Sequence, residues 1–337
     1  MKRLIIHIGL AKTGSSSLQR FFQLNQDLLR AKGICYPTLG RGGEKAHLPL
    51  FHSQANYLEE RKNPNNLFDR FKRELARMPE DCLVSAEADR AKPDIWGERW
   101  ADCGRKVEIL VYLRRQDERL ESLLNQKIKS LVAPLEITLE EAVKLSQWDY
   151  EIMLRRWARV FGKDAVHVRI YNKQAWVSGN GIYEDAVQAL GLEWDNAFQI
   201  PAKAFNPSLG YTELYALRHM KEAGIYHLSL FRQIIDRLPD PGQEPFFSAA
   251  ARLEFLQRFE ESNRRVAEQY FGYPPERPLF PGPYPDPADG YQPPQGPDPE
   301  RLMNLLMAVW KHHHTESIWL RRLKGAKRKL LGRPKPQ

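Results

Sequence analysis

Cysteine is scarce in this chain, and long apolar runs are missing from it. The three cysteines, Cys35, Cys82 and Cys103, are an odd number, and no two of them form a C-x-x-C pair. This excludes a disulfide framework and a cysteine-rich zinc site and favours a reducing compartment, so we expect a cytoplasmic protein. No apolar run reaches the roughly 18 residues of a membrane-spanning helix. The start has no small-residue cleavage site, so we expect no signal peptide.

The overall composition is that of an ordinary globular protein, but its charge is unevenly distributed. The 337 residues are 42% hydrophobic and 28% charged, which excludes wholesale disorder. A net charge of +9 alone would favour a nucleic-acid or polyanion binder. However, residues 317–337 contain eight basic residues and no acidic one: Arg321, Arg322, Lys324, Lys327, Arg328, Lys329, Arg333 and Lys335. The rest has 43 basic and 42 acidic residues, so we expect no nucleic-acid partner.

The basic tail also contains large apolar residues, namely Ile318, Trp319, Leu320, Leu323, Leu330 and Leu331. A basic helix flanked by apolar residues can rest on an anionic membrane surface, here the inner face of the membrane. A solvated, partly disordered tail explains the same residues equally well. Peripheral membrane contact therefore stays open at this point.

Alternating strand and helix patterns define the fold class. Five short apolar runs predict strands buried on both faces: Leu4–Leu10, Ile34–Tyr36, Cys82–Ala86, Val107–Leu113 and Val166–Tyr171. Helical patterns separate them: Ser16–Ala31, Leu67–Met78, Glu118–Lys129 and Leu139–Phe161. This alternation is typical of βαβ units. We expect a P-loop-type, three-layer α/β/α sandwich with a central parallel sheet of about five strands.

The second half of the chain is mostly helical and then rich in proline. Helical patterns cover Tyr183–Leu190, Gly210–Ala223 and Ala250–Tyr270. Residues 274–299 contain eleven prolines, which excludes a helix or central strand there. Pro299 and Glu300 then begin a helix over Arg301–His314. We therefore predict a domain over residues 1–273, an extended segment or linker over 274–299, and a helix with a basic tail over 300–337.

A glycine-bearing turn follows the first strand and opens a helix. The stretch Gly9-Leu-Ala-Lys12-Thr13-Gly14-Ser15-Ser16-Ser17 places backbone N–H groups and a helix N-terminus where they can hold a phosphate. It partly fits the ATP-binding pattern G-x-x-x-x-G-K-[ST], but Ser15 follows the second glycine and the lysine precedes it. Any strand-to-helix turn needs a glycine and a serine cap, yet the lysine and three hydroxyls favour anion binding.

A second polar element stands at the end of the fourth strand. Arg114 lies at a strand's carboxyl end, where α/β folds bind ligands, and Ser122 follows on the next helix. A guanidinium and a hydroxyl can converge on one phosphate. Asp117 and Glu118 also suit an ordinary solvated helix start, so this element alone decides nothing.

Together the two elements resemble PAPS-dependent sulfotransferases, which use 3′-phosphoadenosine 5′-phosphosulfate (PAPS). Residues His7 to Gln19 are similar to their 5′-phosphosulfate loop, P-K-[ST]-G-[ST]-[ST], with Ala11 in place of proline. Residues 114–122 are similar to their 3′-phosphate element, R-x-P-x-x-R-x-x-S. Arg119 matches that element, and Gln116 replaces its proline. The two elements occur in the family's order, 102 positions apart from Lys12 to Arg114.

Further stretches resemble bacterial members of this family. Gly33-Ile-Cys-Tyr-Pro37 matches their second strand, Phe205-Asn206-Pro-Ser208-Leu209 their N-x-S-L element, and Ser262-Asn263-Arg264-Arg-Val-Ala their terminal helix. The resemblance covers about residues 1–273 and implies sulfuryl transfer from PAPS, without a metal, to a hydroxyl of a carbohydrate or glycolipid acceptor. It also implies that the donor binds to Lys12, Thr13, Gly14, Ser15, Ser16, Ser17, Arg114 and Ser122.

The chemistry of such a transfer suggests catalytic residues. Lys12 would stabilise the charge that develops on the leaving phosphate oxygen. The acceptor hydroxyl needs a general base, for which Glu87 at the end of the third strand and His47 in a glycine-rich loop are candidates. Glu87 could instead cap a helix or form an ion pair, and His47 could be a surface residue. Position at the ligand-binding edge of the sheet favours Glu87.

Two other functions remain alternatives at this point. A P-loop ATP-dependent kinase or ATPase would bind Mg-ATP at the same loop. A non-catalytic adaptor would act through the basic tail alone. Three features suggest no function: His312, His313 and His314 point in different directions on a helix, His7 is expected in the core, and the aromatic residues of 148–161 follow a helical core pattern.

Overall fold

The computed structural model of the chain describes residues 1–42, 46–51, 66–87, 92–172, 176, 180–201, 208–224 and 244–310. Three features singled out in the sequence fall outside these residues. They are Phe205 and Asn206 of the N-x-S-L element, His312–His314, and the basic residues 317–337.

Five parallel strands form the centre of the fold. They are β1 Arg3–His7, β2 Ile34–Cys35, β3 Asp81–Ser85, β4 Lys106–Leu113 and β5 Val166–Ile170. They are ordered β2-β3-β1-β4-β5, and every neighbouring pair is parallel. All five predicted strands are confirmed, with ends that differ by at most three residues. The carboxyl end of β1 lies between β3 and β4, where the strand order reverses and α/β sheets bind ligands.

Eleven α-helices in the described residues have both ends defined, and a further α-helix is described up to residue 310. They are α1 Ser15–Leu24, α2 Gln26–Ala31, α3 Leu67–Arg77, α4 Pro93–Trp100, α5 Gln116–Lys129, α6 Leu139–Val143, α7 Tyr150–Phe161, α8 Gly181–Ala189, α9 Tyr211–Glu222, α10 Ala249–Gln257, α11 Glu260–Val266 and α12 over 299–310. The predicted helix Arg301–His314 is therefore described only in its first part.

Helices cover both faces of the sheet, which confirms the predicted three-layer α/β/α sandwich. Because successive side chains of a strand point to opposite faces, Ile5 and Ile6 enter different cores. Ile5 packs in a core with buried residues of α1, α2 and α8. Ile6 packs in the other core, with Trp100 of α4, Trp157 of α7 and residues of α3 and α11. The aromatic residues Trp148, Tyr150 and Trp157 are buried, as the helical pattern predicted.

Three predicted helices are each divided in the structure, and one of them, Ala250–Tyr270, forms α10, α11 and a π-helical turn over Ala267–Phe271. The pattern over Ser16–Ala31 is interrupted at Asn25, whose side chain donates to the Gln199 carbonyl (2.9 Å) and accepts from the Gln199 N–H (2.8 Å). The pattern over Leu139–Phe161 contains α6 and α7, and Asp149 caps the start of α7 by accepting from the Ile152 N–H. Hydrogen bonds to distant or capping side chains thus end helices that apolar periodicity alone would continue.

The chain divides into two compact units. The first comprises residues 1–123, 138–207 and 249–289 and contains the sheet. The second comprises residues 124–137, 208–248 and 290–337, and in it Leu305 of α12 packs with Ala216 and Leu217 of α9. The domain limits proposed from the sequence, 1–273, 274–299 and 300–337, stay a prediction.

Two expectations from composition can be compared with the structure. All three cysteines are buried and free of disulfides. None of the helices in the described part of the chain combines the length and the hydropathy that a bilayer crossing needs.

Candidate functional site

The turn between β1 and α1, which we call loop 9–17, has an unusual backbone. Gly9, Lys12 and Gly14 all adopt left-handed φ angles, of +97°, +70° and +81°. At Gly14 a Cβ atom would lie only 2.5 Å from Cδ1 of Ile182 and 2.8 Å from a ring atom of Tyr171, so any other residue would be strained and would push these side chains aside. Lys12 is not a glycine, and such a conformation in a non-glycine residue is uncommon and concentrates at functional sites.

The N-terminus of α1 is open to an anion. Its cap residue, Gly14, has no side chain to bond the first N–H groups, whereas side chains cap α3, α6 and α7. Those N–H groups have no partner within the helix, and the helix dipole adds positive charge beside them. Ser16 is exposed and Ser17 half-exposed. Loop 9–17 therefore presents donors to solvent at the carboxyl edge of the sheet.

The two buried hydroxyls of the loop are used inside the protein. Thr13 is fully buried, and its Oγ1 donates to the Leu10 carbonyl at 2.7 Å. Ser15 is also buried, and its Oγ donates to Oε1 of Glu87 at 2.5 Å. Of the predicted donor-binding residues, these two can therefore offer an anion their backbone N–H groups, while their hydroxyls fix the loop and a carboxylate.

Arg114 joins the two sequence elements in space. Its Nη1 donates to the Lys12 carbonyl at 3.2 Å, and its Nε lies 3.0 Å from Oε2 of Glu118. Its guanidinium also lies 5.3 Å from the centre of the Tyr171 ring. The side chain retains 16% exposure, so it remains accessible beside loop 9–17.

Arg119 lies beneath the same loop but is almost fully enclosed, with 1% exposure. Its guanidinium donates to the Ala11 carbonyl (3.2 Å), the Gln147 carbonyl (2.9 Å) and the Ser146 hydroxyl (3.0 Å). It also stacks 4.9 Å from the centre of the Trp148 ring. Arg119 thus supports the loop backbone through the Ala11 carbonyl, and Arg114 contacts the next carbonyl, that of Lys12.

Lys12, Ser15, Glu87 and Arg114 form one group, which we call the Lys12 cluster. Burial lowers the pKa of Lys12 below its ordinary value, Glu87 opposes that shift, and Arg114 adds to it. Glu87 is exposed at the end of β3. The cluster therefore combines a cation, a carboxylate and an accessible guanidinium at one place on the sheet edge.

His47 lies apart from solvent. It is fully buried; Nε2 lies 2.9 Å from the Pro37 carbonyl, and Nδ1 accepts from the Ser85 N–H at 3.2 Å. Burial lowers its pKa to about 4. His47 is therefore a neutral imidazole with both nitrogens engaged, rather than a loop residue that reaches over the site.

Three further residues discussed from the sequence, His7, Ser122 and Gln116, differ in burial. His7 is a fully buried core histidine, as expected, with Nδ1 2.7 Å from Oγ of Ser85, and burial lowers its pKa to about 4. Ser122 lies half-exposed in α5. Gln116, which stands where the resemblance has proline, is buried and forms a reciprocal amide pair with Asn263 at 2.8 and 3.1 Å.

Two tyrosines at the site were not singled out in the sequence. Tyr171 follows β5 directly and lies against Arg114 and Gly14. Tyr183 of α8 is hydrogen-bonded to Ser17. The position of Tyr171 at the carboxyl end of a predicted strand was a usable signal, whereas nothing local pointed to Tyr183.

Comparison with known proteins gives limited similarity. No protein-family model matches the chain. An uncharacterized protein of Archaeoglobus fulgidus is 33% identical over 178 residues, which are 50% of this chain and 47% of that protein. The matched region thus spans about half the length of that relative.

Among solved structures, three proteins are similar at low TM-scores. A sulfotransferase from Alicyclobacillus acidocaldarius is 17% identical, with a TM-score of 0.36 over 69% of this chain and 99% of that one. The sulfotransferase domain of the curacin biosynthetic pathway is 13% identical, with a TM-score of 0.39 over 61% and 79%. Retinol dehydratase, in complex with androsterone and inactive cofactor PAP, is 10% identical, with a TM-score of 0.35 over 80% and 81%.

Proposed function

We propose that the chain is a cytoplasmic sulfotransferase that moves a sulfuryl group from PAPS to a hydroxyl of a carbohydrate or glycolipid acceptor. The observation that carries this proposal is the hydrogen bond from Arg114 to the Lys12 carbonyl. It joins two sequence elements, each resembling a phosphate-binding element of sulfotransferases, into one cationic site. Loop 9–17, with its open helix N-terminus, supplies the donors that an anion needs.

The residues present suit the two ends of PAPS. The backbone N–H groups of residues 13–17 and the Lys12 ammonium would hold the 5′-phosphosulfate, whose anhydride bond supplies the activated sulfuryl group. Arg114 and Ser122 would hold the 3′-phosphate, because a guanidinium is a permanently charged, fork-shaped donor. Arg119 would not contact the donor, since its guanidinium already binds two carbonyls and a hydroxyl.

Lys12 is the proposed catalytic cation. The left-handed backbone of Lys12 and the hydrogen bond to its carbonyl fix the position of its Cα atom. These backbone features do not involve the side-chain ammonium. A fixed positive charge stabilises negative charge that develops on a leaving oxygen more strongly than on the starting anhydride. Glu87 keeps that charge in place, because its carboxylate opposes the effect of burial on the pKa of Lys12.

Glu87 is the proposed general base, in preference to His47. Its carboxylate is exposed and can take the proton of an incoming hydroxyl, and Ser15 orients it through Oε1. His47 is buried with both ring nitrogens engaged. We expect Glu87→Gln to lower the transfer rate by about a hundredfold or more, because an amide cannot accept the proton. The thermal unfolding temperature should stay unchanged, and a near-normal rate would exclude Glu87 as the base.

No observation favours the kinase alternative. In the ATP-binding pattern the position after the second glycine holds lysine, but here it is Ser15, whose hydroxyl donates to Glu87. The two functions also differ in what they need, because a kinase would bind Mg-ATP and the proposed enzyme would bind its donor without a metal.

The direct test is transfer of radiolabelled sulfate from PAPS to extracted cell-envelope glycans and lipids. We expect label in a polysaccharide or glycolipid fraction with the full chain and none with Lys12→Ala. Lys32→Ala is a matched control, because Lys32 pairs with Asp195 away from the cluster. Hydrolysis of Mg-ATP with no sulfate transfer to any fraction would contradict the proposal.

A further inference from the structure

Arg114 lies in the short turn that joins β4 to α5. The next residue, Arg115, accepts the first hydrogen bond of α5 at its carbonyl, from the Arg119 N–H at 3.0 Å. The Arg114 carbonyl lies just before the helix, so a partner for it has to come from another element. That partner is Tyr150, the first residue of α7, whose hydroxyl donates to the Arg114 carbonyl at 2.6 Å.

Tyr150 is itself held firmly in place. It is 1% exposed and belongs to the core on the α4 and α7 side of the sheet. Its ring meets the ring of Phe280 edge to face, with the two centres 6.1 Å apart. Asp149, which caps α7, also accepts a hydrogen bond from the hydroxyl of Ser262 in α11 at 2.9 Å. A hydroxyl on a ring that is fixed in this way defines where the Arg114 carbonyl lies.

The side chain of Arg114 is fixed at two of its three nitrogens. Nε lies 3.0 Å from Oε2 of Glu118, and Nη1 donates to the Lys12 carbonyl at 3.2 Å. Glu118 is held in turn by Arg115, whose Nη2 lies 3.3 Å from Oε1 of Glu118. None of the described residues accepts a hydrogen bond from Nη2 of Arg114, so this nitrogen is available to a phosphate oxygen.

We infer that Tyr150 positions Arg114 for the 3′-phosphate of the donor, a role that rests on the proposed function. A guanidinium binds phosphate strongly only when its N–H groups point at the oxygens, so a small shift of the Arg114 backbone loses part of the contact. Tyr150 is a positioning residue, because its hydroxyl is enclosed in the core and acts through the Arg114 carbonyl. Its effect is confined to the 3′-phosphate and does not extend to the 5′-phosphosulfate at loop 9–17.

The turn keeps other anchors when the Tyr150 hydroxyl is removed. Arg115 pairs with Asp117 at 2.6 Å and donates to the Pro283 carbonyl at 2.5 Å. Tyr150→Phe removes one hydroxyl and leaves the ring in the core. We therefore expect this variant to fold and to change mainly the position of Arg114.

The test is calorimetric titration of Tyr150→Phe with 3′-phosphoadenosine 5′-phosphate and with adenosine 5′-phosphate, which lacks the 3′-phosphate. We expect the variant to bind the 3′-phosphorylated nucleotide about fivefold more weakly than the unchanged chain does, and adenosine 5′-phosphate equally well. Tyr291→Phe is the matched control, because the Tyr291 hydroxyl also donates to a backbone carbonyl, that of Pro245 at 2.9 Å, within the second unit. It should bind both nucleotides as the unchanged chain does.

A double-mutant cycle separates positioning from a general loss of structure. In the Arg114→Ala background, Tyr150→Phe should leave the affinity for the 3′-phosphorylated nucleotide unchanged, because the group that it positions is gone. The inference is overturned if Tyr150→Phe weakens the binding of both nucleotides alike, weakens neither, or has the same effect with and without Arg114. An unchanged chain that binds both nucleotides equally well would overturn the proposed donor site and the role of Tyr150 with it.

Discussion

Two polar clusters lie at the carboxyl edge of the same sheet, and they differ in how far their side chains are exposed to solvent. The Lys12 cluster is open: Glu87 is exposed and Arg114 is accessible. The second, which we call the Ser85 cluster, consists of His7, Tyr36, His47 and Ser85, all buried and joined to one another by hydrogen bonds or ring contacts. Ser85 and Glu87 are two residues apart. Chemistry is therefore expected where polar groups are accessible to solvent, and stability where they are enclosed.

The two arginines at the start of α5 show the same contrast. Arg114 and Arg119 contact adjacent carbonyls of loop 9–17, at Lys12 and Ala11. The Arg119 guanidinium is buried and donates to groups inside the protein, whereas the Arg114 side chain is partly exposed to solvent. Both arginines match the same sequence element, so the sequence does not distinguish a supporting arginine from a ligand-binding one. Their different burial in the structure does.

The largest expected effect is on activity and comes from the open cluster. Lys12→Ala should lower the sulfate transfer rate by about a thousandfold, because it removes the cation next to the leaving oxygen. Circular dichroism should show an unchanged fold, since the contact of Lys12 with Arg114 runs through its backbone carbonyl and is kept. Transfer within a few-fold of the unchanged chain would remove Lys12 from the mechanism.

The buried cluster should instead control how stability depends on pH. His7 and His47 have folded pKa values of about 4, below their ordinary 6.5, because burial disfavours the charged imidazole. The unfolded chain thus binds protons that the folded chain does not, and stability is lost as the pH falls from 6.5 towards 4. We expect a loss on the order of 3 kcal/mol per histidine.

Urea unfolding across that pH range measures this loss. His47→Gln keeps a donor and an acceptor but cannot titrate, so it should make the pH dependence less steep. Equal slopes for the two proteins would show that His47 is not held neutral in the folded state.

The two arginines should separate stability from binding. Arg119→Ala should destabilise the protein by about 2 to 3 kcal/mol, because it leaves buried acceptors without a donor. Arg114→Ala should cost about 1 kcal/mol or less in the free protein, since the side chain is partly exposed. It should, however, abolish the rise in unfolding temperature caused by 3′-phosphoadenosine 5′-phosphate (PAP). The reverse pattern in thermal unfolding would contradict both assignments.

The smallest effect is expected from the hydroxyl that links loop 9–17 to β3. Ser15→Ala removes the hydrogen bond to Glu87 and should lower the transfer rate up to about tenfold, with little change in stability. Ser130→Ala is the control, since its hydroxyl donates to the Gln126 carbonyl in the last turn of α5. Equal rates for the two variants would show that Ser15 does not orient Glu87.

The sheet could be predicted from the sequence because its signal is local. Each buried strand is a short apolar run, and its ends differ from the structure by at most three residues. Helix ends were less predictable, since Asn25 and Asp149 interrupt apolar patterns through contacts that periodicity does not show. Helix α4 was missed, although Trp96 and Trp100 are buried four residues apart.

The site could be predicted only in part, because much of it depends on distant contacts. Loops that bind an anion through their backbone N–H groups contain recognisable glycines, so loop 9–17 could be predicted from its own residues. The bond from Ser15 to Glu87 and the bond from Arg119 to Ala11 join residues 72 and 108 positions apart. Burial of His47 depends on Pro37 and Ser85 and could not be deduced from its glycine-rich neighbours.

The most direct test of the proposed donor site is calorimetric titration of the full chain with PAP in the presence of EDTA. We predict binding without metal, weakened at least about tenfold in Lys12→Ala and in Arg114→Ala, because each removes a charged contact to phosphate. Lys32→Ala should bind as tightly as the unchanged chain. Absence of PAP binding under these conditions, together with tight binding of Mg-ATP, would contradict the assignment of loop 9–17 and Arg114 to a phosphosulfate donor.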